Sequence, residues 1–240
     1  MCTITWVESP EGLEIFFNRD EQRTRLSAEA PRVHLQHGVK YLAAIDGPGG
    51  GTWLAANEYG LAVAILNYYA AQVTAPAPDP ASRGRLVTRF MACQRPDEVE
   101  QEMTLENAAN YRGFILLAFQ RRQEVLQFTW DGRSLEKETR PFSLQVLSTS
   151  SVKTEEVLAY RYQAYQRQVL DQGLPGREAH AAYHHSQHPE DTAYSVCMAR
   201  EDARTVSFSH LVLGEDIQLS YEADAQSVQV HLDTIDAVRR

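Results

Sequence analysis

Apolar and polar residues alternate from the first positions of the chain: Ile4 and Trp6 stand against Thr3, Thr5 and Val7, and Leu13, Ile15 and Phe17 repeat the period of two. The turn-forming run Glu8-Ser9-Pro10-Glu11-Gly12 lies between them, so the first 17 residues read as a β-hairpin. Tyr41–Ile45, Thr52–Ala56 and Leu61–Leu66 are further strand candidates, separated by Asp46-Gly47-Pro48-Gly49-Gly50-Gly51 and by Asn57-Glu58-Tyr59-Gly60. Thr74–Pro80, rich in proline and alanine, predicts a surface loop. A helix then follows, with Ser82 as its N-cap, an apolar stripe of Leu86, Val87, Phe90 and Met91, and Pro96 as its stop; Asp97 caps a second helix reaching about Asn107. Phe114–Phe119 and Val125–Trp130 read as a strand pair followed by the turn Asp131-Gly132. Thr154–Leu170 is the longest helical segment, with Glu155 and Glu156 suiting the helix dipole, and the chain from Tyr194 onward reads mainly as strand. Strands at both ends with helices grouped between them predict an α+β fold. No internal repeat or linker divides it, so residues 1–240 are expected to form one domain.

Composition narrows the function classes. A content of 43% hydrophobic and 23% charged residues is that of an ordinary globular protein. The net charge of -9 opposes binding to a phosphate backbone or an anionic lipid surface, which argues against nucleic acid as a partner. Neither a basic-then-apolar leader nor a membrane-length apolar run is present, and a cytoplasmic location without membrane insertion is the expectation. Cys2, Cys93 and Cys197 are odd in number and widely spaced, which predicts free thiols rather than disulfides or a metal framework. Cys93 and Cys197 lie in apolar surroundings and read as small core residues; Cys2 does not.

Removal of Met1 leaves Cys2 with a thiol and a free α-amine on one residue. An α-amine with a pKa near 8 is partly neutral at physiological pH and accepts a proton, while a thiol near 8.5 becomes a nucleophile on losing one. The run Asn18-Arg19-Asp20-Glu21 ends the second strand, so the hairpin returns it to the neighbourhood of Cys2. There Arg19 lowers the thiol pKa, a carboxylate holds the α-ammonium, and the Arg–Asp adjacency limits the cost of burying either charge. A solvated charged turn is the alternative for that run. His180, His184, His185 and His188 raise the question of a metal site; without a Glu between paired histidines they read as an exposed helix end, and neither metal nor cofactor is expected. Gly49-Gly50-Gly51, with no Lys-Ser or Lys-Thr after it, reads as a turn near the pocket rather than a phosphate cradle.

Met1-Cys2, Phe16-Phe17-Asn18-Arg19-Asp20-Glu21 and the run from Gly50 to Gly60 together resemble the NRDE family, also called the transport and Golgi organization 2 family. Asn57 to Tyr68 is similar to the corresponding strand of choloylglycine hydrolases and penicillin V acylases, which are N-terminal-nucleophile (Ntn) hydrolases. The resemblance is specific over residues 1–90 and thin beyond. It implies a four-layer αββα sandwich with two mainly antiparallel sheets, and it carries over Cys2 as nucleophile, Arg19 and Asp20 as its supports and Asn67 as an oxyanion donor. From the residues alone Asn67 is equally a strand-end turn residue. Three departures from the acylase pattern stand out. Arg19 and Asp20 are adjacent where the acylases keep two residues between them, Thr149 falls where they carry Asn, and Thr192–Val196 lacks their late-strand Arg.

Two functions follow as expectations. One is a cysteine amidohydrolase acting on a small-molecule amide at a non-peptide carbon–nitrogen bond, with Trp53, Tyr68 and Thr149 contacting substrate. The other, raised by the family's association with secretory organisation and heme handling, is a carrier of a hydrophobic ligand such as heme in the same cleft, lined by Trp6, Trp53, Tyr68 and Tyr69. Oligomeric state is not encoded in any pattern of the chain.

Overall fold

The alternation at the start of the chain folds into β1 (Cys2–Ser9) and β2 (Gly12–Gln22), paired antiparallel across a turn at Pro10 and Glu11. Ile4, Trp6, Leu13, Ile15 and Phe17 share one face of this hairpin, while Thr3, Thr5, Glu14, Phe16 and Asn18 occupy the other; all ten are buried. A hairpin buried on both faces must lie inside a layered structure, and it does. The computed structural model describes residues 1–47, 49–69, 80–142, 145–173, 176–224 and 226–235. Among these, β1 and β2 belong to a six-stranded sheet in the order β10 (Gln145–Thr149), β1, β2, β11 (Ala203–Leu213), β12 (Asp216–Ala223), β13 (Gln226–Asp233). A second sheet runs in chain order through β3 (Arg32–Gln36), β4 (Val39–Ala43), β5 (Leu54–Asn57), β6 (Ala62–Asn67), β7 (Phe114–Phe119), β8 (Val125–Trp130) and β9 (Leu135–Arg140). Every pairing in both is antiparallel.

The inner faces of the two sheets meet in a core that includes Ile4, Trp6, Leu42, Ala56, Leu117 and Phe119. Trp6 stands edge-on to Phe119 with ring centroids 5.3 Å apart, and its indole N–H donates to the Pro141 carbonyl, so the ring is buried without orphaning its donor. On the outside of the seven-stranded sheet, α1 (Gly84–Phe90) and α2 (Pro96–Glu102) bury Leu86, Val87, Phe90 and Val99 against Val63, Leu116 and Ala118. The short α3 (Leu105–Ala108) follows them. Outside the six-stranded sheet lie α4 (Thr154–Tyr165), its π-helical continuation Gln166–Leu170, and α5 (Arg177–His184), packed through Tyr165, Val169 and Tyr183. The result is the four-layer αββα, α+β sandwich that the resemblance implies. None of its described helices is long and apolar enough to cross a membrane.

Several local expectations are corrected. Ser82 makes no side-chain cap; Arg83 occupies the N-cap of α1, and the Ser82 carbonyl accepts from Arg85 N–H in the first turn. Pro96 does not stop the first helix, which ends at Phe90; it opens α2, because proline at the first helical position gives up an N–H that has no partner there. The helix expected to run to Asn107 breaks at Met103, and Thr104 caps α3 by accepting from Asn107 N–H. The strands β3 and β9 have no counterpart in the period-two reading, since both are edge strands with largely exposed, polar-rich sequences. The final strand region starts at Ala203, not near Tyr194. Cys197 is half-buried rather than a core residue. The Thr74–Pro80 loop falls, apart from Pro80, outside the described residues.

The largest correction concerns the histidines. His180 and His184 are not an exposed helix end but fully buried, on the face of α5 that packs against β1 and β2. Their hydrogen bonds fix their tautomers. Asn18 uses its side-chain N–H groups on the carbonyls of His184 and Val196, so its oxygen must accept from His184 Nδ1 at 3.1 Å. His184 Nε2 is then an acceptor and takes the Thr5 hydroxyl proton at 2.9 Å, which leaves Thr5 Oγ1 to accept from His180 Nδ1 at 2.8 Å. His180 Nε2 is left as a bare lone pair, and it is buried without a partner. Phe16 stacks on His180 at 5.1 Å and on His210 at 4.4 Å, and Glu14 accepts from His210 and from Arg177 nearby.

This chain works only with both rings neutral. Burial holds His184 well below its ordinary value and lowers His180 to about 4, with Glu14 opposing the drop and His210 adding to it. Unfolded, both take up protons near 6.5, so their contribution is complete above that pH and is lost as the pH falls toward about 4. From these rings, urea unfolding is therefore expected to show about 2 kcal/mol less stability at pH 5 than at pH 7.5. Equal stability at the two pH values contradicts the neutral chain.

Candidate active site

Cys2 lies mid-row in the six-stranded sheet, directly opposite Thr149 of β10 on one side and Arg19 of β2 on the other. Its backbone N–H donates to Thr149 Oγ1 at 3.2 Å. Side chains at odd and even positions of β2 project to opposite faces. Arg19 therefore stands beside Cys2 on the inner side of the sheet, and Asp20 turns to the helical side.

On the inner side, Arg19 is held from two directions. Its guanidinium lies 4.4 Å above the Trp53 ring, and Nη2 reaches Asp46 Oδ1 at 3.2 Å and Glu21 at 3.5 Å. Asp46 also binds Arg25 through both of its oxygens. Asp46 is positioned by the glycine turn, where it bridges to Gly51. Gly51 in turn touches the start of α1: a Cβ there would sit 2.3 Å from the Gly84 carbonyl carbon, so only glycine permits the approach. The turn and α1 thereby close one wall of a cleft of about 370 Å³ whose lining includes Cys2, Arg19, Asp46, Trp53, Asn67 and Arg83.

Behind the sheet, Asp20 accepts from Thr205 Oγ1 at 2.6 Å, aided by an irregularity of β11 between Thr205 and Ser207. Its other oxygen is buried with no hydrogen-bond partner, 3.8 Å from Arg161 Nη1. Arg161, a fully buried residue of α4, donates to Thr3, Ser148 and the Ser195 carbonyl. Burial raises the Asp20 carboxyl despite the pull of Arg161. Arg19 and Asp20 thus do not relieve each other's burial, as adjacency led one to expect; each has a separate partner on its own face of the sheet.

Asn67 ends β6 opposite Phe114, and its side-chain N–H donates to Tyr69 Oη at 3.0 Å. The same hydroxyl accepts from the Met1 ammonium at 2.7 Å. Met1 extends the β1–β2 ladder, its carbonyl accepting from Asp20 N–H, and buries its side chain against Met198 and Ala203, with the Ser150 hydroxyl 3.1 Å from its sulfur. With Met1 in place the Cys2 side chain is only 6% exposed. Burial pushes the Cys2 thiol up; the terminal ammonium and Arg19 pull it down, and Asp20 adds to the rise.

The fold therefore brings Cys2, Arg19 and Asn67 to one cleft, with Trp53 in its wall and Thr149 on the Cys2 backbone; Asp20 borders the cleft too, but its carboxylate turns behind the sheet to Thr205 and Arg161. Tyr68 is half-buried beside the site and ties its N–H to the Gly113 carbonyl, without lining the cleft. Asp46, Arg83 and Arg161 escaped the sequence reading. Asp46 had been read only as part of a turn, and Arg161 sits within a helix where nothing in the local pattern marks it as buried. Its guanidinium reaches Tyr194 and Ser195, within the segment where the acylase pattern has its late-strand Arg.

Comparison with known proteins agrees with this fold. The chain is similar in structure to penicillin V acylase from Agrobacterium tumefaciens, at 13% identity and a TM-score of 0.59 over 97% of this chain and 86% of that one. A mutant of conjugated bile acid hydrolase from Clostridium perfringens matches at 14% identity and a TM-score of 0.60, over 97% and 92% of the two chains. An ortholog of N-acylethanolamine-hydrolyzing acid amidase from Caenorhabditis elegans matches at 10% identity and a TM-score of 0.55, over 89% and 93%. No curated protein matches the sequence at significant similarity. The family model for Transport and Golgi organisation 2 matches residues 1–231, nearly the whole chain, with the Cys2, Arg19–Asp20 and Asn67 segments inside it, and the chain belongs to that family.

Proposed function

We propose that the chain is a cysteine Ntn amidohydrolase of the cytoplasm, cleaving a non-peptide carbon–nitrogen bond. The observation that carries this reading is the row Thr149–Cys2–Arg19, in which Cys2 and Arg19 line a cleft whose opposite sheet presents the Asn67 amide. The names of the similar structures, an acylase, a bile acid hydrolase and an acid amidase, support the same class of reaction.

Loss of Met1 is the enabling step in this reading. It frees the Cys2 amine next to Thr149 and offers the Asp20 oxygen that lacks a hydrogen bond an N–H to accept. It also removes the ammonium that Tyr69 shares with Asn67. The neutral α-amine then takes the thiol proton, and the sulfur attacks the amide carbonyl. Asn67 N–H stabilises the oxyanion, the α-ammonium protonates the departing amine, and a thioester on Cys2 remains. Water, deprotonated by the same amine, releases the carboxylic acid and regenerates the thiol. A carrier of an apolar ligand fits less well, because Arg19, Arg25, Glu21 and Asp46 line the cleft and an apolar ligand would desolvate them.

Two outcomes test this reading. Across a panel of N-acyl amides, Cys2→Ala is expected to abolish turnover and Asn67→Ala to lower kcat by about a hundredfold or more; full turnover in either variant contradicts the assignment. Thiol alkylation at neutral pH provides the second. Cys93 is buried and pushed up to about 12 by burial and by Glu102. Once Met1 is removed, Cys2 should react at least about tenfold faster than Cys93 or Cys197, whereas protein retaining Met1 should show no such lead. Equal Cys2 rates in the two forms would remove the role given to Met1.

A further inference from the structure

Arg19 and Arg25 are both neutralised by Asp46 and Glu21. The other two arginines of the cleft, Arg83 and Arg112, form no ion pair with a carboxylate among the described residues, although the protein as a whole carries a charge of -9. Arg83 is fixed in place, and Arg112 stands near it at the exposed edge of the cleft. Arg83 Nη1 donates to the Gly113 carbonyl at 3.1 Å, the carbonyl that also accepts Tyr68 N–H, and Arg112 is the residue just before Gly113. Both arginines therefore flank the point where β7 begins beside the Asn67 end of β6. Their charges are near enough to oppose each other, and Arg83 also feels Cys2 and Glu21. Two like charges held together on one wall of a cleft are unfavourable until an anion arrives between them. Guanidinium groups match the planar oxygens of carboxylates and phosphates through paired N–H donors.

We propose that Arg83 and Arg112 form an anion subsite, which binds a carboxylate or phosphate group of the substrate beside Asn67 and selects negatively charged acyl amides over neutral ones. The proposal rests on the reading of this cleft as the active site, and it assigns to the substrate a chemical feature that the catalytic residues do not specify. Arg83 retains donors beyond the one fixed on Gly113, so one arginine orients the anion while the more exposed Arg112 completes the charge at the rim.

Binding to the full-length Cys2→Ala protein, measured by isothermal titration calorimetry, separates the subsite from the chemistry. The probes are N-hexanoyl amides whose amine portion ends in a carboxylate, a phosphate monoester or a neutral carboxamide, with a mirrored set carrying the charge on the acyl side. In at least one set the charged probe should bind about tenfold or more tightly than its neutral partner, an advantage that falls as salt is raised. Which anion gains more distinguishes a carboxylate from a phosphate site. Adding Arg83→Met or Arg112→Met should bring the charged-to-neutral affinity ratio close to one, with thermal unfolding checked for each variant. Arg112, being exposed, keeps the test available should the Arg83 variant fold poorly. Equal binding of charged and neutral probes, a ratio that survives both substitutions, or no binding of any probe overturns the subsite. If the charged preference and its loss are seen while wild-type protein hydrolyses none of the amides, the subsite stands and the hydrolase reading fails.

Discussion

The site depends first on strand register. Thr149, Cys2 and Arg19 lie in one row across the sheet, and a slip of a single residue in the β1–β2 pairing would turn the Arg19 side chain away from the thiol and put the side chain of Asp20 or Asn18 on the cleft side. What prevents the slip is burial on both faces of the hairpin. Inward, Ile4, Trp6, Leu13, Ile15 and Phe17 fit only one side of the sandwich. Outward, Thr5 and Asn18 complete a hydrogen-bond chain with His180 and His184, and Thr3 accepts from Arg161. A shifted register would strand these polar groups without partners in the interior, at a cost of roughly 1–3 kcal/mol for each. The helical layer thus fixes the position of Cys2, which it never touches from the cleft side.

The same alternation explains the adjacent Arg–Asp pair. An odd offset along a strand always sends two side chains to opposite faces, whether the residues are neighbours or have two others between them. Arg19 and Asp20 therefore keep the division of faces that the acylase spacing produces, despite the shorter offset. Each charge is then balanced locally, Arg19 by Asp46 and Glu21 in the cleft and Asp20 by Arg161 and Thr205 behind it.

Much of this was legible in the chain before its structure. The period of two gave the hairpin, the apolar runs gave the central strands, and the Asn-Arg-Asp-Glu run returned to Cys2 as the hairpin length required. Edge strands escaped because β3 and β9 are exposed and have no reason to alternate. The buried histidines were misread because α5 is short and polar in composition; only the facing Thr5 and Asn18, far away in sequence, reveal that its histidines point inward. Arg161 and Asp46 were missed for a related reason: each owes its role to partners from distant segments, and local pattern carries no record of them.

Met1 occupies the position where the proposed chemistry begins. Its ammonium bonds to Tyr69, its side chain fills the space beside Met198, and its presence leaves Cys2 as an interior peptide unit with a buried thiol. The central claim is that the chain without Met1 carries an acyl group on Cys2 during turnover. The most direct measurement is mass spectrometry of that protein quenched in acid during reaction with an amide it hydrolyses. The account predicts an added acyl mass on the peptide beginning with Cys2, released by neutral hydroxylamine as a thioester is. Turnover with no adduct in Asn67→Ala or wild-type protein, or an adduct on Cys93 or Cys197 instead, would contradict it.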